Sequence, residues 1–121
     1  MRVLTFAALL ALAGPALAVT PPEFQIRNTA DLMDVCSPAP GDQYYDVAIA
    51  FCHGFGAGAY SYYMAETAPK DRFVCTPDPA PTRTQVLTDF LAWAKSHPEY
   101  MDKPAVDTLF RYLAATYPCK K

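Results

Sequence analysis

The sequence predicts an all-α fold, a small bundle of four to five helices stapled by two disulfides. Three observations carry this. Four stretches place apolar residues three and four apart, and none shows the sustained alternation of a half-buried strand. Prolines punctuate the chain between those stretches. Four cysteines, an even number, all follow a segment that reads as an export signal.

The first helix is expected from Thr29, with the threonine hydroxyl as cap, Asp31 in the first turn, and Leu32, Val35 and Cys36 on its inner face. Pro38 and Pro40 end it. Gly41-Asp42 opens a longer second helix whose Tyr45, Ala48, Ile49, Cys52, Ala59 and Tyr63 fall near one stripe. Gly54, Gly56 and Gly58 interrupt it, each costing about 1 kcal/mol relative to alanine, and close approach of another helix to Gly54 and Gly58 is the expected compensation. After a proline-rich loop to Pro81, Thr82 and Gln85 form a capping box for a third helix with Val86, Leu87, Phe90, Leu91 and Ala94 inward, stopped at His97-Pro98. The fourth takes Asp102 or Lys103 as cap and Pro104 at its first position, burying Val106, Leu109, Phe110, Leu113, Ala114 and Tyr117.

The amino-terminal segment is expected to be a signal peptide over residues 1–18. Met1-Arg2 is positively charged, Val3 to Ala13 is apolar, and Ala16-Leu17-Ala18 is a small-x-small cleavage site. That run is too short to cross a hydrocarbon layer of roughly 30 Å, so no membrane insertion is expected after cleavage. Residues 19–121 then form a single domain, exported to the periplasm, large enough to enclose a core without a cofactor. Loss of Arg2 leaves nine Lys and Arg against twelve Asp and Glu, which offers no electrostatic footprint for nucleic acid.

Short turns should set the first two helices antiparallel, and likewise the last two. Cys36 then faces Cys52, and Cys75 lies near Cys119. The pairing Cys52 with Cys75 and Cys36 with Cys119 stays open, because four cysteines permit three connectivities. The gaps of 16, 23 and 44 residues differ from the close pairs of structural zinc sites, so no metal is expected. No catalytic residue and no cofactor-binding residue is assigned either. The glycines of the second helix lack the spacing of a dinucleotide loop, and Ser37, Ser61 and Ser96 lack a nucleophile elbow. Asp31, Asp34, Asp42 and Asp46 read as caps and solvated faces. Tyrosines are abundant, and of Tyr60, Tyr62 and Tyr63 at least one should reach the surface, where a tyrosine patch would suit a partner.

Taken in order, Cys36, Phe51-Cys52-x-Gly54-Phe-x-x-Gly58, Cys75-x-Pro77, Thr84-Gln85-Val-Leu, His97-Pro98-Glu99 and Tyr117-Pro118-Cys119 resemble the Tai/Rap family of periplasmic immunity proteins. The resemblance covers Ala30 to Cys119. It implies a helical, disulfide-bonded, non-enzymatic protein, often a homodimer, whose surface loops occlude a secreted peptidoglycan amidase effector delivered by type VI secretion. His53 between Cys52 and Gly54, and the prolines from Asp78 to Thr82, depart from the family pattern. No binding residue is carried over from the family. The alternatives are a periplasmic acid-stress chaperone and an envelope protein of another partner.

Overall fold

The computed structural model describes residues 20–120; the expected signal peptide lies outside them. Four α-helices follow in order, α1 (Thr29–Val35), α2 (Tyr45–Glu66), α3 (Arg83–Lys95) and α4 (Ala105–Thr116), with short 3-10 turns at Pro21–Phe24, Pro69–Asp71 and Pro98–Tyr100. Among the described residues there is no strand, only one antiparallel bridge between Val74 and Pro118.

The elements sit where periodicity puts them, with local corrections at their ends. The α1 cap is Asn28, whose side chain accepts from the Asp31 amide. Thr29, expected as the cap, is buried instead. Its hydroxyl lies 2.7 Å from the Thr108 hydroxyl and 3.0 Å from the Lys103 carbonyl, and its amide donates to that same carbonyl at 2.8 Å. Ala30 donates to the Met101 carbonyl, so the start of α1 is bolted to the turn that precedes α4. Two orphan helix amides find partners there that a surface cap could not supply.

In α2 the helix starts at Tyr45, later than Gly41-Asp42, because Gly41 takes φ +86 and the Asp42 carboxylate turns back to accept from the Tyr44 amide. Tyr45 is exposed, and Ala48, Cys52 and Tyr63 are buried. In α3 only half of the capping box forms. The Thr82 hydroxyl accepts from the Gln85 amide, whereas the Gln85 side chain donates forward to Asp89 at 3.2 Å. Helix α4 begins one residue beyond Pro104 and buries Ala105, Thr108, Leu109, Tyr112 and Leu113. Val106, expected inside, is 44 % exposed, because the buried stripe is centred on Thr108 and Tyr112 and leaves it at the edge.

The core collects Leu32 and Val35 of α1, Ala48 and Cys52 of α2, Phe90 and Ala94 of α3, and Leu109, Tyr112 and Leu113 of α4, with Val74 closing it from the long loop. Burial pushes the Tyr112 phenol above its usual pKa, so it stays neutral throughout the physiological range.

Candidate functional site

Both disulfides are formed as first expected, Cys36 with Cys52 and Cys75 with Cys119, and the competing connectivity is not adopted. Their Cα atoms are 5.8 and 4.8 Å apart, within the ordinary range for a bridge. The first ties the C-cap of α1 to α2. The second ties the head of the long loop to the end of α4, where Cys75 donates to the Tyr117 carbonyl at 2.9 Å. A bonded pair has no thiolate to act as nucleophile or metal ligand, and formed disulfides indicate an oxidising, exported compartment.

The loop that leaves Cys75 carries the longest unbroken run of exposed residues in the described chain. Residues 75–80 are exposed without interruption, yet the loop is anchored at both ends. At its start Val74 is buried, and the Tyr63 hydroxyl accepts from the amides of Phe73 and Val74 at 2.8 and 3.1 Å. Tyr60 reaches it through a 2.8 Å hydroxyl contact with Thr76. At its end Thr82 caps α3. Pro77, Pro79 and Pro81 restrict the backbone between these anchors.

Beside this loop lies a cavity of about 330 Å³, walled by α2 and α3 and floored by Leu32 of α1 and by Leu109 and Leu113 of α4. Its wall is mostly apolar, drawn from Phe55, Ala57, Val86, Leu87, Phe90 and Leu113, with the Cys36–Cys52 bridge also lining it. The glycines were expected to receive another helix. They do not: a Cβ at Gly54, Gly56 or Gly58 would meet nothing within 4 Å, Gly54 and Gly58 face outward, and Gly56 lines the cavity. Helix α2 stays continuous because Cys52 and Tyr63 fix it on either side of the glycines, through a covalent bond and a pair of hydrogen bonds.

The residues that could carry acid–base or metal chemistry are not brought together. His97 is stacked against Trp93 with ring centroids 3.9 Å apart, and its Nδ1 lies 2.7 Å from the Trp93 carbonyl. His53 sits on α2, its Nε2 buried and without a hydrogen-bond partner among the described residues. Asp31 is paired with Arg27 at 2.9 Å, and the hydrogen bonds from Arg27 hold its carboxyl below the usual range. Asp42 accepts from a turn amide, and Asp34 and Asp46 are exposed. No group of three His, Cys, Asp or Glu among the described residues is placed to hold a metal ion, and no described helix is long and apolar enough to cross a membrane.

The tyrosines are mainly structural. Tyr60 and Tyr63 hold the loop, Tyr100 stacks on Trp93 and has the Arg111 guanidinium 5.1 Å from its ring centroid, and Tyr112 is buried. Tyr62 does reach the surface, 70 % exposed, while Tyr60 and Tyr63 beside it are turned to the loop, so the three make no continuous tyrosine patch. Sequence reasoning missed the cavity. Its one visible signal was the glycine run on a helix whose facing partner, α3, offers Val86 and Leu87 half-buried.

These features define a class: a disulfide-clipped helical domain that presents an anchored, proline-restricted loop next to an apolar cleft. The model of the Rap1a immunity proteins matches residues 28–119, and the chain belongs to that family. The matched segment runs from the α1 cap to the last cysteine, so it takes in all four helices, both disulfides and the loop. No curated protein and no solved structure matches the chain.

Proposed function

We propose that this protein is an exported, non-catalytic immunity inhibitor that neutralises a peptidoglycan amidase effector delivered by type VI secretion, acting in the periplasm. Family membership supports the immunity role. The observation that carries the mode of action is the uninterrupted exposure of residues 75–80 on a base held by the Cys75–Cys119 bridge. A loop restricted before binding loses little conformational freedom on entering a partner's cleft, which favours tight occlusion. Nothing in this mechanism requires turnover by the inhibitor. In the same reading a second copy packs on the face where half-exposed Phe73 and Val106 flank Phe110.

The test is the release of peptide from purified peptidoglycan by a purified type VI amidase effector of the same organism, with the oxidised, processed chain added in increasing amounts. Activity should fall to zero near one chain per enzyme. Ala80→Arg, at an exposed loop position, should weaken inhibition by about tenfold or more without moving the melting temperature. Full amidase activity in excess inhibitor, with no complex on gel filtration, would contradict the proposal. Sedimentation equilibrium should find a dimer that Phe73→Asp converts to a monomer.

A further inference from the structure

The cleft between α2 and α3 has properties that occlusion by the loop does not use. Its volume of about 330 Å³ falls within the range of roughly 300–1,000 Å³ typical of small-molecule sites. Along α3 its lining residues run from Arg83 to Phe90, which is about 10 Å of helix axis, and along α2 they run from Cys52 to Ser61. A flexible chain can follow an apolar wall built from several helices, where a rigid fused ring would need a matching flat slot. Nothing within the described residues fills it, because Gly56 and Ala57 contribute almost no side chain where α3 comes past.

Among the polar residues that line the cleft, Tyr60, Ser61, Thr76 and Tyr117 are neutral, and the one formal charge is positive. Arg83 lines it, is exposed, and has neither an ion pair nor a hydrogen bond among the described residues. Arg83 is also the first residue of α3, whose N-terminus carries the positive end of the helix dipole and has no acidic side chain in its first turn. His53 lines the opposite wall, its Nε2 shielded from solvent and unpartnered among the described residues, so the only charged group presented to the cleft is Arg83. A bare hydrocarbon would leave Arg83 and the helix end unused. An amine would be repelled.

We propose that this cleft binds a single acyl chain with a carboxylate head, the chain lying along Gly56, Val86 and Leu113 and the head held by Arg83 at the start of α3. Guanidinium and carboxylate form the strong, charge-assisted class of hydrogen bond, so the head selects as well as anchors. The site would make the protein a carrier or sensor of free fatty acid in the envelope, a role separate from inhibition of an effector.

Calorimetric titration of the oxidised chain with dodecanoate, dodecanol and dodecyltrimethylammonium, each below its aggregation limit, tests this. One saturable site for dodecanoate is expected, about tenfold tighter than for dodecanol, with no binding of the ammonium compound. Arg83→Gln should bring the acid down to the level of the alcohol. Gly56→Leu, which projects into the cleft, should abolish binding of both. As a measure independent of any variant's folding, methyl resonances of Val86, Leu87 and Leu113 in the unaltered chain should shift on titration. No saturable binding, equal affinity for acid and alcohol, or shifts confined to residues away from the cleft would each overturn the assignment. Those outcomes leave the effector reading untouched, since that one is judged by amidase activity.

Discussion

The junction of α1 with α4 and the junction of α2 with α3 are made from similar amphipathic helices, yet one is sealed and the other left open. At the first, Val35, Thr29 and Thr108 are fully buried and every polar group named there has a partner. At the second, Val86 and Leu87 are only half-buried, the glycines of α2 have no neighbour, and a histidine nitrogen lies unmatched. The difference teaches where the chain keeps its stability and where it keeps its working surface. Stability comes from the packed junction, where Thr29 and Thr108 bond each other, and from the covalent clips; the open junction and its adjoining loop contribute less to it.

The clips give the largest handle on this contrast. Replacing Cys75 and Cys119 together by alanine opens a ring of 44 residues, which on the chain-entropy model should lower stability by about 4 kcal/mol, and replacing Cys36 and Cys52 opens a ring of 16 and should cost about 3. Urea unfolding of each double variant measures both. Loss of the first clip should also cost inhibition before unfolding, because it anchors the loop.

Within the sealed junction, Thr29→Val removes a buried hydroxyl that meets both Thr108 and the Lys103 carbonyl, and should destabilise by roughly 1–3 kcal/mol in the same assay. The open junction predicts the opposite sign. Gly56→Ala adds a methyl that meets nothing within 4 Å on a helical residue, so it should stabilise by about 0.5–1 kcal/mol. A destabilising Gly56→Ala would mean that the glycines are packed after all.

The smallest effect concerns acid. Asp31 is held below its ordinary pKa of 3.8 by its hydrogen bonds from Arg27, so its pairing contributes stability above that pH, lost as pH falls through the lowered value. Asp31→Asn should therefore lower the melting temperature slightly at neutral pH and flatten its acid dependence below about pH 4. Thermal melts from pH 7 down to pH 2 would show this.

Much of the fold was legible because period and punctuation agree: α3 and α4 lie where their three-and-four spacing and flanking prolines put them, and of the sulfur pairings the sequence leaves open, the favoured one is formed. The ends were less readable. Asn28 and Thr29 are both good caps, and the choice fell to Asn28 because Thr29 is taken by a long-range contact with Thr108 that no local rule contains. Gln85 matched a capping box, but Asp89 one turn on competes for its amide. The glycine run was read as a packing device because small residues permit close approach; permission is not occupancy, and only the position of α3 decides. Arg83 and His53 were invisible as a pair for the same reason, since their common cavity exists only in three dimensions.

Amide hydrogen exchange on the oxidised chain, resolved by residue, tests most directly whether the two junctions differ as described. The account predicts that the slowest amides, those of Val35, Leu109, Tyr112 and Leu113, exchange only through global unfolding, while those in the first half of α3 exchange through a smaller, local opening. Equal protection in α3 and α4 would contradict it, because the cleft would then be as firmly closed as the rest of the core.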